Sequence, residues 1–383
     1  MDATVVALAA VGAASLLAWL VIACLRGRFW DLQPTAEDQE PPPLPAVWPE
    51  VCAVVPAHNE RSYLPRTLPD LLAQDYAGPW QVILVDDRSD DGTAEVAGAL
   101  GGKRLTVVRG KPLPPGWTGK VWAMAQGAEL ALDSKYVWLT DADICHSAGS
   151  LRRLVAESEA AGLALNSRMA RLRSASVAER LLIPPFLFFF NLLFPMRWVN
   201  GPGRTAAAAG GCVLLRTAAL EHVGGFRAIA GEVIDDVNLA RAVKRLGLRI
   251  RLSASREDVR STREYGTMAP IWRMVRRSAF DQLGYSWPLL IGTVTGLALL
   301  FVVPPALVAV AAAGAWWPAG SRLTLAALGA VAWAVMAIML VPTLRVLGVR
   351  AVWALSLPLG GLLYGAMTVD SAVRHTAGAP PRW

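Results

Sequence analysis

Long charge-free apolar runs lie at the two ends of the chain, and shorter apolar runs alternate with polar segments between them. Thr4 to Cys24 carries no charge and is followed by Arg26 and Arg28. That length lets one helix cross the hydrocarbon core of a bilayer. A cleaved signal peptide fits less well, because no cation precedes the run and two follow it. The pattern predicts an uncleaved transmembrane anchor over 1–28, with its arginines and the following chain on the cytoplasmic side. At the other end, 285–383 holds three more candidate spans: Trp287 to Ala315, with Pro304-Pro305 predicting a kink, Leu323 to Leu344, and Ala351 to Val369. Trp316-Trp317 suits a membrane–water interface. Pro358 and Gly360-Gly361 leave a re-entrant or interfacial segment as an alternative for the last.

Between these ends, 29–48 reads as a linker, acidic and then proline-rich over Thr35 to Trp48. In 49–284 the runs Val51 to Pro56, Gln81 to Val85, Leu105 to Val108 and Tyr136 to Leu139 have the length and content of buried strands. Leu64 to Gln74 and Thr93 to Leu100 have helical length. The alternation predicts an α/β fold with a mostly parallel, Rossmann-like sheet. Ligands bind beyond the carboxyl ends of such strands. There the sequence places His58-Asn59-Glu60, Asp86-Asp87 and Asp141-Ala142-Asp143. Leu181 to Phe194, LLIPPFLFFFNLLF, has two readings: core, or a segment in the membrane interface beside the active site. Arg197 and Trp198 beyond it favour the interface.

Composition sharpens this picture. Of 383 residues, 54% are hydrophobic and 17% charged, below the roughly 25% charged typical of soluble domains. Disorder is excluded, and the composition argues against a purely soluble chain. The four cysteines, at 24, 52, 145 and 212, form no C-x-x-C pair. That argues against a disulfide framework or cysteine zinc site and for a reducing compartment. The net charge of +7 is explained by cytoplasmic-side arginines. No basic–aromatic face appears, so no nucleic-acid partner is expected.

The candidate chemistry is acidic. Asp141 and Asp143 follow a strand, and alternate residues of extended chain share a face. They can share one Mg²⁺ or Mn²⁺, a hard cation that takes oxygen ligands and keeps company with phosphates. The run Asp86 to Thr93 superficially suggests a calcium loop. Counted from Asp87, however, its twelfth position is Gly98, where that loop needs glutamate. An acidic strand end that binds a nucleoside is the better reading. Gly119-Lys120 is not a P-loop, because Pro114 and Val121 stand where glycine and Ser/Thr are required. Lys120 can still supply charge near a phosphate. Asp235-Asp236 opens a helical pattern that Gly247 stops. Carboxylates there favour the helix dipole and can also act as a general base. Arg273 and Arg276 share a face of a candidate helix over 270–283. They suit a diphosphate or anionic lipid heads. The histidines at 58, 146, 222 and 375 lack metal-ligand spacing, and His146 reads as a polar loop residue.

In this order the motifs resemble the family 2 glycosyltransferases of GT-A fold. Val54 to Glu60 resembles the V-P-x-x-N-E opening, Asp86 to Thr93 the D-D-x-S-x-D-G-T motif, and Asp141-x-Asp143 the D-x-D. Gly210-Gly211-Cys212 resembles the acceptor loop, and Gly224-Gly225-Phe226 and Asp235-Asp236-x-x-Leu239 follow at similar spacing. Pro114 to Lys120, Trp272 to Arg276 and the terminal spans are similar to the hopene-associated members. The resemblance implies a membrane-bound inverting enzyme that moves one sugar from a nucleotide-diphosphate sugar, UDP-linked by expectation, to a lipid acceptor. Its implied place is the bacterial inner membrane, with the catalytic domain cytoplasmic. The donor would lie against Pro56, His58, Asn59, Glu60, Asp86, Asp87, Lys120 and Asp141, with Arg273 or Arg276 on the leaving group. Asp141 and Asp143 would hold the metal. The family's Glu-Asp is Asp235-Asp236 here, which puts Asp236 at the base position and leaves Asp235 as the alternative. The Q-x-x-R-W motif of processive members is absent, which favours a single transfer. Transfer to a polyprenyl phosphate and a non-catalytic nucleotide-sugar-binding role are the rival readings.

Overall fold

The structure, a computed structural model, describes residues 3–32, 37–38 and 40–378. Positions 33–36 and 39 of the expected linker, and the extreme ends of the two terminal segments, lie outside the described residues. The chain divides into two compact units. One joins Leu32–Arg173 to Met196–Glu264, and the other joins Met1–Asp31, Ser174–Pro195 and Tyr265–Arg382. The expected boundaries at 28, 48 and 284 follow chain order, whereas the units follow packing. The apolar stretch 174–195, expected inside the catalytic domain, belongs with the terminal helices, as does 265–284.

The first unit is the α/β unit. Its described strands are β1 (Val51–Ala57), β2 (Trp80–Asp86), β3 (Leu105–Arg109), β4 (Tyr136–Thr140), β5 (Ile144–His146), β6 (Leu165–Met169), β7 (Cys212–Arg216), β8 (Ile250–Ala254) and β9 (Val259–Ser261). The main sheet runs β3-β2-β1-β4-β7-β6-β8. β1 pairs in parallel with β2 and β4, and β2 with β3. β7 is antiparallel to β4 and β6, and β8 is parallel to β6. All seven residues of β1 are buried, as expected for a strand covered on both faces, where apolar residues run continuously. Register carries the acidic motifs to one end of the sheet, Ala57 lying opposite Asp86. Beyond that end β5 and β9 form a separate antiparallel pair. Glu37 is tied down in this unit: its carboxylate accepts from the backbone N–H of Asp258 at 2.7 Å and from Ser255 Oγ at 2.8 Å.

The second unit is helical. Four of its described helical segments are long and apolar enough to cross a membrane: Ala3–Leu25, Trp287–Ala313, Ala319–Leu347 and Ala351–Thr376. Where a kink at Pro304-Pro305 is expected, the helix carries a π-helical turn, Ala298–Val302, that ends just before Val303 and the two prolines. Prolines lack the N–H that a regular ladder needs, and such turns absorb the mismatch. Leu181 to Phe194 falls mostly in the helix Val177–Leu193, which begins with a capping box of Ser176 and Glu179. Its Phe188 is buried against Phe29, ring centroids 5.0 Å apart, so it is core of the helical unit. The glycines of the last span serve close packing. A Cβ on Gly360 would lie 2.7 Å from Pro185 Cγ, and one on Gly361 2.5 Å from Phe301 Cγ.

Candidate active site

Two backbone turns start the site. β1 ends at Ala57, and Asn59 takes a left-handed conformation at φ 58°, which asparagine tolerates better than most residues. The D-D-x-S-x-D-G-T segment then braces this loop. Asn59 N–H donates to Ser89 Oγ at 3.0 Å, Glu60 N–H to Thr93 Oγ1 at 2.9 Å, and Arg61 N–H to Asp91 at 3.1 Å. Asn59 Oδ1 accepts from Asp90 N–H at 3.0 Å. Ser89, Asp91 and Thr93 therefore act on the loop backbone. Asp86 and Asp87 are buried at the end of β2, and His58 Nδ1 lies 2.7 Å from the Asp87 carbonyl. Pro56 is buried within β1.

β4 ends at Thr140, and Asp141–Asp143 leave it as a turn closed by Ile144 N–H on the Asp141 carbonyl at 3.2 Å. The expected extended backbone is absent at this turn, which leads directly into β5 and its pairing with β9. Each aspartate is instead held by its own cation. Asp141 pairs with Lys120 at 2.9 Å, and Asp143 with Arg263 Nε at 2.8 Å. Asp141 keeps 33% of its side chain exposed and Asp143 10%, so Asp141 is the more open carboxylate.

Lys120 begins the helix Gly119–Glu129 and also approaches Asp235 at 3.5 Å. Burial alone would lower its ammonium; Asp141, Asp235 and Asp236 outweigh that and raise it. Asp235 and Asp236 open the expected helix, Asp235–Arg245. The Asp236 carboxylate accepts Gly210 N–H at 2.8 Å and Val237 N–H at 2.7 Å. Its pKa is pushed up to about 7 by burial and then by Asp235, against the pull of Lys120 and the two backbone donors. Gly210 is small for a reason: a Cβ there would lie 3.1 Å from Lys120 Nζ and 3.4 Å from Asp236 Oδ2. Gly211 accepts Thr140 Oγ1 on its carbonyl at 3.0 Å. Cys212 starts β7 fully buried, its sulfur 3.4 Å from Trp138 Nε1, which makes it core. His146 lies in buried β5 rather than a loop. Its Nε2 meets Thr140 Oγ1 at 2.7 Å, and burial depresses it to about 3.

Arg263 is the site residue that sequence reasoning missed. Its guanidinium bridges Asp143 and Glu60, with Nη2 2.6 Å from Glu60 Oε1. It lies in no motif, and nothing in its neighbourhood set it apart. Glu60 is nonetheless pushed up to about 7 by burial, with Asp143 and Asp141 adding to the effect and Arg263 opposing it. Arg273 and Arg276 lie on the helix Met268–Ser278 of the helical unit. Arg276 is engaged there by Asp370 at 3.3 Å, and Arg273 is exposed.

The donor set suits a hard divalent cation. Among the described residues no three His, Cys, Asp or Glu side chains gather as a preformed metal site. Two aspartates alone match Mg²⁺-type binding, in which few carboxylates bind and phosphate oxygens and water complete the shell. Asp141, Asp143 and Asp235 alone outnumber Lys120 and Arg263, so the cluster has room for positive charge.

Comparison with known proteins bears on the fold that carries these residues. Residues 52–224 match the family model described as glycosyl transferase family 2. The mannosyltransferase PcManGT of Pyrobaculum calidifontis, solved with GDP-Man and Mn²⁺, is similar at TM-score 0.52 and 21% identity, over 86% of this chain and 97% of that one. Glucosyl-3-phosphoglycerate synthase of Mycobacterium tuberculosis gives TM-score 0.42 and 20% identity over 62% and 79% of the two chains. An N-acetylglucosaminyltransferase of Mesorhizobium japonicum is 46% identical over 63 residues, which span 15% of this chain and only 13% of that relative. The family match lies across the strands that carry the acidic motifs, so residues 52–224 are similar to glycosyl transferase family 2, and the likeness to PcManGT shows a shared fold.

Proposed function

We propose that the chain transfers one sugar, with inversion, from a nucleotide-diphosphate sugar to the hydroxyl of a membrane lipid. The observation that carries this reading is Asp236: a carboxyl near neutrality, fixed by two backbone donors and electrostatically linked through Lys120 to Asp141. A base tuned close to working pH is suited to taking a hydroxyl proton as attack proceeds. Carboxylate oxygens offer about four lone-pair sites, so two backbone bonds leave room for a substrate hydroxyl. Asp235, ion-paired with Lys120, positions that lysine.

The nucleoside lies against His58 to Glu60 and Asp86-Asp87. Asp141 and Asp143 would hold Mg²⁺ or Mn²⁺, which would supply positive charge to the diphosphate leaving group. Lys120 adds charge on the same leaving group. UDP-sugars are the first donors to assay, and GDP-mannose the second, because the similar PcManGT was solved with it. Four helices able to cross a bilayer support an acceptor that resides in the membrane, and hopanoids are a candidate class by motif resemblance. The enzyme then works at the inner membrane with its catalytic unit in the cytoplasm.

The test is incubation of the purified protein with UDP- and GDP-sugars and bacterial lipid extract, followed by mass spectrometry. The expected product is a lipid heavier by one sugar residue. Polymer, or sugar release without lipid product, contradicts the proposal.

A further inference from the structure

The two carboxylates proposed for the metal are not equally free to take it. Asp143 Oδ2 accepts from Arg263 Nε at 2.8 Å and from Ser261 Oγ at 3.1 Å. Thr262 fixes the backbone beside it, its N–H and its Oγ1 each lying 2.8 Å from the Asp143 carbonyl. This segment ends β9, which pairs with β5 directly after the D-x-D turn. The guanidinium is thus delivered to Asp143 by secondary structure rather than by a loose surface side chain. Its other end is on Glu60, whose second oxygen is buried without a hydrogen-bond partner.

A guanidinium and a divalent cation on one carboxylate repel each other, strongly where the site is shielded from water. Arginine also presents a planar fork that fits a phosphate as well as a carboxylate. We propose that Arg263 is a resident counter-ion that competes with the divalent cation for Asp143 and passes to the donor's diphosphate when the cation arrives. The inference rests on the assignment of Asp141 and Asp143 as the cation's ligands. Its consequence is coupling. Without nucleotide, Arg263 weakens cation binding. With nucleoside diphosphate present, the released guanidinium gains a partner, so cation and nucleotide tighten each other by the same factor.

The experiment is Mn²⁺ titration of the full chain in detergent at pH 8, followed by electron paramagnetic resonance, alone and with UDP or, separately, GDP. In Arg263→Gln, Mn²⁺ alone is expected to bind at least about tenfold more tightly, since a charge-assisted hydrogen bond is worth at least that factor. Nucleotide at saturating Mn²⁺ should bind about tenfold more weakly, and the donor KM should rise more than kcat falls. Arg263→Lys keeps the charge but loses the fork, so both shifts should be intermediate; it carries the test if the glutamine variant does not fold. A purely structural Arg263 would leave Mn²⁺ affinity unchanged or lower in both variants, which overturns the inference. If the unsubstituted chain binds no Mn²⁺, the metal assignment falls as well. If Mn²⁺ binds and Asp143→Asn weakens it while neither Arg263 variant tightens it, only the inference falls.

Discussion

Replacing Asp236 with asparagine removes one proton acceptor and little volume. The Asn carbonyl can keep one of the two backbone bonds, from Gly210 or Val237. Its amide then faces the other donor, at a cost of about 1 kcal/mol. The chemical cost is larger: a positioned general base contributes roughly 10²- to 10⁴-fold, so kcat should fall by at least about 100-fold. The unsubstituted enzyme supplies the matching pH signature. With its pKa near 7, Asp236 is about half ionised at pH 7 and about a tenth ionised at pH 6. The rate at saturating donor should therefore rise through that range and level above pH 8. The stability sign is opposite. A carboxyl whose folded pKa is raised costs stability as pH climbs from its unfolded value to its folded one. Asp236→Asn should then melt no lower than the parent at pH 8. The assay is lipid-product formation between pH 5.5 and 9, with nucleotide affinity measured in parallel. Turnover within threefold of the parent on a lipid alcohol, or a rate flat from pH 6 to 8, refutes the base assignment. Retained turnover confined to a lipid phosphate would shift the acceptor to polyprenyl phosphate, which is already ionised.

Lys120→Met strips Asp141 and Asp235 of their shared cation; kcat/KM should drop at least about tenfold, read in the same product assay. Glu179→Ala removes the acceptor of four backbone N–H groups, those of Ala175, Ser176, Tyr265 and Gly266, and should lower stability by on the order of 3 kcal/mol, seen as a lower unfolding temperature in detergent. Gly361→Ala drives a Cβ to 2.5 Å from Phe301 Cγ and should destabilise by about 1–3 kcal/mol by the same measurement, whereas a free re-entrant segment would tolerate it.

In the parallel half of the sheet β1, β2 and β4 were legible because strands buried on both faces read as unbroken apolar runs, and the half-exposed edge strand β3 still showed as Leu105 to Val108. β6 was not. It carries Asn166 and Arg168, both buried, and Arg168 is matched inside by Glu157 at 2.9 Å. A pattern of hydrophobicity cannot anticipate polar residues that find partners within the core. β5 and β9 have three residues each, too few to show a period. Among the site residues, the acids announced themselves by clustering at strand ends and, for Asp235-Asp236, at a helix start. Lys120 was visible as a cation, but its partners came from two distant segments. Arg263 gave no sign, since its role depends on β9 meeting β5. Cys212 followed two glycines and read as loop, yet its side chain faces Trp138. Gly360-Gly361 read as a break in a span because a sequence does not reveal which neighbour presses against a glycine.

The assignment on which the chemistry turns is that Asp141 and Asp143 share the donor's cation. Crystals of the protein grown with donor and Mn²⁺, measured at the manganese absorption edge, test it directly. The account predicts an anomalous peak about 2.1 Å from a carboxylate oxygen of each aspartate, with diphosphate oxygens and water completing the shell. A peak elsewhere, or bound donor with no peak at these two residues, contradicts it.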